Sequence, residues 1–256
     1  MYKTFKDTVF VGKKIIYLPT CQSTNDIATE KIQLGEAVDG LLIVTSKQTA
    51  GRGQRGNSWE TLPDQNLTFS LILQPSFLLA HEQFQLNMAI SLGIYDFLAD
   101  FGLAELFIKW PNDIYCQGKK MGGILIENFL KGNRIGNSIV GIGLNINQQE
   151  FAYPQAVSLA QLTHTTYVLP TLLEILASKI EARYLNLRNQ GSNLLKQHYL
   201  KQLYWCQEEH TFQDMREAHK PLFKGQILGI NPHGQLVVEK DQRLAYFSFQ
   251  EIKFIE

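Results

Sequence analysis

The chain has 256 residues, 45% of them hydrophobic and 19% charged, with 24 basic and 24 acidic side chains. It is too apolar for a disordered chain and long enough for one large domain with a small appendage. Zero net charge argues against a protein whose main task is gripping nucleic acid or an anionic membrane. No apolar run approaches the ~20 residues that cross a bilayer, and Lys3, Lys6 and Asp7 interrupt the start before a secretory leader can form.

The three cysteines, Cys21, Cys116 and Cys206, are odd in number and far apart, which predicts reduced thiols in a cytoplasmic protein rather than a disulfide framework. No CxxC pair occurs, and His81-Glu82 lacks the second histidine of a zinc-protease helix, so no metal cage is expected.

In chain order, Lys14 to Leu18 reads as an edge strand closed by Pro19, and Ser23-Thr24-Asn25-Asp26 as an N-cap opening a helix that runs to Gly35. Leu41–Thr45 and Leu67–Leu73 are buried strands. Phe84–Phe101 has helical apolar spacing and stops at Gly102. Leu106–Trp110, Met121–Phe129 and Ile135–Ile146 are β candidates. Thr171-x-x-Glu174 reads as a capping box opening a helix with an apolar stripe (Leu172, Ile175, Leu176, Ile180, Leu187), and a shorter helix covers about 193–205. Residues 222–256 break into short strands around Gly225, Gly229, Asn231-Pro232 and Gly234. They predict a small β-barrel leaning on the main domain, with a boundary in the charged stretch 207–221, hence domains 1–207 and 208–256.

Four segments carry the chemistry. Gly51-Arg52-Gly53-Gln54-Arg55-Gly56-Asn57-Ser58-Trp59 fits G-x-G-x-x-G formally, yet a turn rather than a helix follows, which speaks against a dinucleotide fingerprint. Without Lys-Ser/Thr after Gly56 it is no P-loop. What remains is a loop able to fold over an anion with guanidiniums and backbone N–H groups, or a solvated surface turn. Lys109-Trp110-Pro111-Asn112-Asp113 ends an apolar strand with a cation, an amide and a carboxylate; Pro-Asn-Asp also suits an ordinary turn. Gly118-Lys119-Lys120-Met121-Gly122-Gly123-Ile124-Leu125-Ile126-Glu127 offers a lysine beside glycines that let a ligand approach the backbone, and equally fits a hairpin turn with surface lysines. Gly141-Ile142-Gly143-Leu144-Asn145-Ile146-Asn147 is a strand with room on one face and two amides for hydrogen bonding, or a glycine-rich bulge.

Taken together, Ser23-Thr24-Asn25, the GRGQRGNSW loop, KWPND, KKMGGILIE and GIGLNIN resemble the biotin protein ligases in order and spacing, from about residue 15 to the C-terminal strands. The resemblance implies an α/β (α+β) fold: a mixed-sheet catalytic domain related to class II tRNA synthetases, followed by an SH3-like β-barrel. It also implies a two-step reaction, in which biotin and ATP give biotinyl-5′-AMP and the biotinyl group then passes to a lysine of a biotin carboxyl carrier protein. By resemblance, Ser23, Thr24, Asn25 and Gln48 line the biotin pocket with Arg52, Gly53, Gln54 and Lys120. Gly123 lies where the backbone approaches biotin, and Asn112 and Asn145 match positions near the nucleotide.

The physical logic agrees with those residues. Both partners of the first step are anionic, so Arg52, Arg55, Lys109 and Lys120 are the cations available to neutralise charge at the α-phosphate. Lys120 is expected to align the two anions, and Asp113 to orient the acceptor lysine or accept its proton. Mg²⁺ is expected to arrive with the nucleotide, held largely by phosphates. Gln54 and Asn57 stand where many family members carry arginine.

A lipoate or octanoyl ligase of the same superfamily is the rival enzyme. A biotin-responsive DNA-binding repressor is the rival of another class, and it needs a helix-turn-helix for which the residues before Ser23 leave little room. The expectation is a monofunctional ligase with a carrier-protein partner, no DNA or membrane partner, and a monomeric or weakly dimeric state.

Overall fold

The computed structural model describes residues 2–255, apart from the side chain of Arg55. Among these residues the chain forms two sheets. The first has seven strands: β1 (Ile15–Cys21), β2 (Leu42–Gln48), β3 (Leu67–Leu73), β4 (Leu106–Lys109), β5 (Asp113–Cys116), β6 (Lys119–Lys131) and β7 (Arg134–Leu144). They lie in the order β1-β2-β3-β7-β6-β5-β4. β1 and β2 pair in parallel and every other neighbour is antiparallel, which makes the sheet mixed, as expected. Pro19 lies inside β1 rather than ending it; an edge strand tolerates the missing N–H.

Side-chain alternation gives each sheet face its own cover. One face presents Leu67, Phe69, Leu71, Val140 and Leu144 to the main core, which includes Leu92, Phe97, Leu173, Leu176 and Ile180 of α2 (Gln83–Ala99) and α4 (Leu169–Gln190). These two helices pack so closely that a Cβ on Gly93 would lie 2.7 Å from the Ile180 Cα. On the other face Ile43, Ile72 and Ile139 pack on Ala28 of α1 (Thr24–Gln33). Helix α1 covers only part of that face, and the remainder is where the cavity forms.

The second sheet is antiparallel, ordered β11-β10-β9-β8-β12, from β8 (Glu209–Asp214), β9 (Leu222–Ile230), β10 (Leu236–Lys240), β11 (Arg243–Phe247) and β12 (Ile252–Phe254). Its core joins Phe212, Phe223, Ile227, Val238 and Phe247 to the main cluster. It docks through the turn after β9. There the Trp110 indole N–H donates to the Gly234 carbonyl at 3.0 Å. A Cβ on Gly234 would lie 2.6 Å from the Phe84 ring, and its φ of +82° also demands glycine.

Several sequence expectations are corrected. Stretch 207–221, taken as a junction, contains β8, whose polar sequence hides a buried acid, Asp214, paired with Arg216 at 2.6 Å. β5 was not among the strands expected from the sequence. It is a strand because Gln117 and Gly118 (φ 51° and 70°) form a tight hairpin that returns the chain as β6. Helix α4 begins at Leu169 with Pro170 in its first turn, so Thr171 and Glu174 lie inside it and make no capping box. A capping box does occur at Ser158 and Gln161, opening the short α3 (Leu159–Thr163). Ser23 is the N-cap of α1 but makes no side-chain capping bond. The last helix, α5, spans Asn193–Lys201 and stops short of Trp205.

Candidate active site

One line of register crosses six strands and gathers the site. Lys109 of β4 lies opposite Asp113 of β5, Asp113 opposite Gly123 of β6, and Gly123 opposite Gly143 of β7. Gly143 in turn faces Thr68 of β3, which faces Thr45 of β2. Directly paired residues share a sheet face, so residues far apart in sequence converge on one floor. The next row is Ser70, Gly141 and Leu125, and the one beyond is Ile72, Ile139 and Glu127. Above this floor, α1, the 51–59 loop and Phe249, in the turn between β11 and β12, enclose a cavity of about 270 Å³.

The glycines of the floor are room for other side chains. A Cβ on Gly143 would fall 2.2 Å from Trp59 Cε2, and one on Gly141 2.4 Å from Asn25 Oδ1. The loop carrying Trp59 is held shut on itself: the Trp59 N–H donates to Gly51 O at 2.9 Å and the Gly53 N–H to Asn57 O at 2.6 Å.

At one end of the cavity lies a neutral donor–acceptor cluster. Gln48 Oε1 accepts from the Thr24 backbone N–H at 2.8 Å and from the Thr24 hydroxyl at 3.2 Å. The Ser70 hydroxyl donates to Asn25 Oδ1 at 2.6 Å, and Asn25 Nδ2 donates to Glu127 Oε2 at 2.6 Å. The other end is cationic. Lys120 lies 2.7 Å from Asp113 and 5.8 Å from the Trp59 ring centroid. Arg52 stands beside the amide cluster, bridging Asp26 at 2.7 Å and Glu127 at 3.3 Å, the latter through the oxygen that also accepts from Asn25. The Lys109 ammonium sits over Tyr115, Tyr204 and Phe254, 4.2, 5.5 and 5.1 Å from their centroids. Two polar atoms at this cavity, Trp59 Nε1 and Thr68 Oγ1, are buried without a partner. Such atoms carry a desolvation cost that a polar ligand would relieve.

Twelve residues named from the sequence line this cavity: Ser23, Thr24, Asn25, Gln48, Arg52, Gly53, Gln54, Lys109, Asn112, Asp113, Lys120 and Gly123. Asn112 faces it while its amide and backbone carbonyl both bond Ile124. Lys119 is exposed and lies outside the lining. Arg55 falls in the short 3₁₀ turn Gln54–Gly56, its side chain outside the described residues. Asn145 is not among the residues that line this cavity. The strand ends at Leu144, and the buried Asn145 amide donates to Val157 O at 3.2 Å, tying residues 157–159 to the sheet. Sequence reasoning missed Thr68 and Ser70, whose signal was two hydroxyls alternating within an apolar strand, and Glu127, whose signal was a charge ending an apolar run. Phe249 gave no signal, because nothing local says that its turn folds back over the first sheet.

Residues 17–145 match the biotin/lipoate A/B protein ligase family. The chain is 30% identical over 244 residues to the bifunctional ligase/repressor BirA of Bacillus subtilis, an alignment covering 92% of this chain and 72% of that one. It is 29% identical over 179 residues to the biotin–[acetyl-CoA-carboxylase] ligase of Mycobacterium tuberculosis, covering 67% and 64%. In fold it is similar to the biotin protein ligase of Aquifex aeolicus solved in complex with biotin and ATP, with a TM-score of 0.76 at 24% identity over 94% of this chain and 98% of that one. The chain belongs to the biotin/lipoate A/B protein ligase family. Within that family it is homologous to the biotin–protein ligases.

Proposed function

We propose that this protein is an ATP-dependent ligase that activates biotin as biotinyl-5′-AMP and transfers the biotinyl group to a lysine of a biotin carboxyl carrier protein. The observation that carries this reading is the pairing, in one cavity, of a neutral amide–hydroxyl cluster with a cationic end. Biotin has the same polarity: an uncharged ureido head that both donates and accepts, and a carboxylate tail. The head suits Thr24, Asn25 and Gln48, the tail Lys120 and Arg52.

In the first step a carboxylate oxygen of biotin attacks the α-phosphorus of ATP, the bond to the bridging oxygen breaks, and pyrophosphate leaves. Lys120, already positioned by Asp113, and Arg52 offset charge on the two anions as they meet. Their carboxylate partners hold them in place until phosphate oxygens compete for them, with Lys109 kept at the strand end by its three rings. In the second step the ε-amine of the acceptor lysine attacks the acyl carbon and AMP leaves. Asp113, paired with Lys120, would take or orient the proton that the amine must lose. Mg²⁺ bound to the nucleotide would neutralise phosphate charge. No group of three metal-ligating side chains occurs among the described residues, so phosphates would supply most of its ligands. The 51–59 loop keeps water from the mixed anhydride.

The reading is tested by pyrophosphate release without an acceptor. A burst requiring both biotin and ATP is expected; a burst of equal size with lipoate or octanoate in place of biotin would overturn it.

A further inference from the structure

We propose that Glu127 is a positioning residue that fixes which way the Asn25 amide faces, and so sets the donor–acceptor pattern the cavity offers to a ureido ligand. This deepens the biotin reading and rests on it. Glu127 lies on the floor face two residues beyond Leu125 and four beyond Gly123, behind the lining rather than part of it. A carboxylate only accepts, so the Asn25 atom 2.6 Å from Glu127 Oε2 has to be Nδ2. Asn25 Oδ1 then turns to the Ser70 hydroxyl, 2.6 Å away. Asn25 is 3% exposed and lies so close to the Gly141 backbone that a Cβ there would fall 2.4 Å from Oδ1, so the side chain stays in place and only exchange of its two amide ends is open to it.

With Oδ1 and one Nδ2 hydrogen committed, the second Nδ2 hydrogen is the donor left for a ligand. Without an acceptor at position 127 the amide can flip and present oxygen instead, pairing acceptor against acceptor. Ser70 cannot hold the orientation alone, because a hydroxyl donates or accepts equally well. The same Oε2 also accepts from Arg52 at 3.3 Å, so one oxygen joins the neutral cluster to the cationic loop.

The test uses the full chain with Glu127→Ala and Glu127→Gln, each alone and combined with Asn25→Ala. Biotin affinity is measured by calorimetry. The Asn25 side-chain amide protons are followed by hydrogen exchange in ¹⁵N-labelled, ligand-free protein, assigned by their loss in Asn25→Ala. Glu127→Ala should weaken biotin binding about tenfold or more, the worth of a hydrogen bond to a charged group. Glu127→Gln, which keeps an acceptor oxygen, should stay within about threefold of wild type. Neither change should weaken binding further once Asn25 is alanine. In the ligand-free protein, Asn25 protection should be lost in Glu127→Ala and kept in Glu127→Gln.

Equal weakening by Ala and Gln, a full loss from Glu127→Ala in the Asn25→Ala background, or unchanged Asn25 protection in Glu127→Ala would overturn the proposal. A wild-type protein that fails to bind biotin would sink the biotin reading instead, and the exchange measurement still decides whether Glu127 orients Asn25.

Discussion

Replacing Lys120 by methionine keeps most of the side chain's length and removes its charge. The ammonium lies 2.7 Å from Asp113, with side chains 28% and 24% exposed, so it is partly desolvated and held in one place. A positioned charge against a transition-state anion is worth ~3–4 kcal/mol, a loss on the order of 10²–10³ in the rate of adenylate formation. The fold should barely notice. Asp113 keeps access to water, so losing the pair costs ~1 kcal/mol or less. Backbone ties remain as well: the Lys120 N–H donates to Gln155 O at 2.7 Å, and its carbonyl accepts from the Val157 N–H at 3.0 Å. Lys119→Met is the control, because the exposed Lys119 pairs with Cys116 at the hairpin end and points away from the cavity. Pyrophosphate release at saturating biotin and ATP, with melting curves for both variants, separates the outcomes. Equal losses for the two lysines, or a larger loss for Lys119→Met, would show the reasoning to be wrong.

Gly143→Val should displace Trp59, whose ring lies 2.2 Å from the new Cβ position, and raise KM for the substrates about tenfold, with a change in tryptophan fluorescence as the accompanying sign. Glu181, 4% exposed, accepts from the backbone N–H groups of Val9, Phe10 and Val11 at 2.6, 2.8 and 2.8 Å. Glu181→Ala should lower stability to urea by about 2–4 kcal/mol while leaving the kinetics of adenylation intact. Hydrogen bonds from the Arg216 guanidinium hold the Asp214 carboxyl below its usual range. Its contribution is therefore complete above the unfolded carboxylate pKa of about 3.9 and lost as pH falls through the lower folded value. Asp214→Asn should accordingly unfold in less urea than wild type at pH 7, with the gap closing below about pH 4. Burial pushes the Cys116 thiol up to about 11. At pH 8 only about one thiol in a thousand is then ionised, and labelling of Cys116 by a thiol reagent should track unfolding.

The site was legible in the sequence wherever its chemistry sits in short runs. KWPND, KKMGG and the arginine–glycine loop each put charge beside an amide or glycines within a few residues, and the register lays the first two side by side. Contributions that depend on long-range pairing were not legible. Glu127 matters because Asn25 lies 102 positions earlier, and Phe249 because a turn of the second sheet reaches back to the first. A sequence motif also does not say where its strand ends: β7 stops one residue before Asn145. The fold was legible where one face of an element is uniformly apolar, as in β3 and α2. It was not where a polar pair replaces apolar alternation, as Asp214 at the end of β8 does with Arg216 just beyond it.

The central claim, that one cavity first makes biotinyl-5′-AMP and then hands its acyl group to a lysine, is tested most directly by a chase experiment. The enzyme is incubated with biotin and ATP, freed of small molecules, and mixed with a biotin carboxyl carrier domain while mass spectrometry follows both proteins. The account predicts enzyme-bound biotinyl-5′-AMP in close to one equivalent, converted on mixing to a carrier carrying one biotinyl group on its acceptor lysine, with AMP released. Adenylate that never reaches the carrier, or a carrier modified only when fresh ATP is added after the chase, would contradict it.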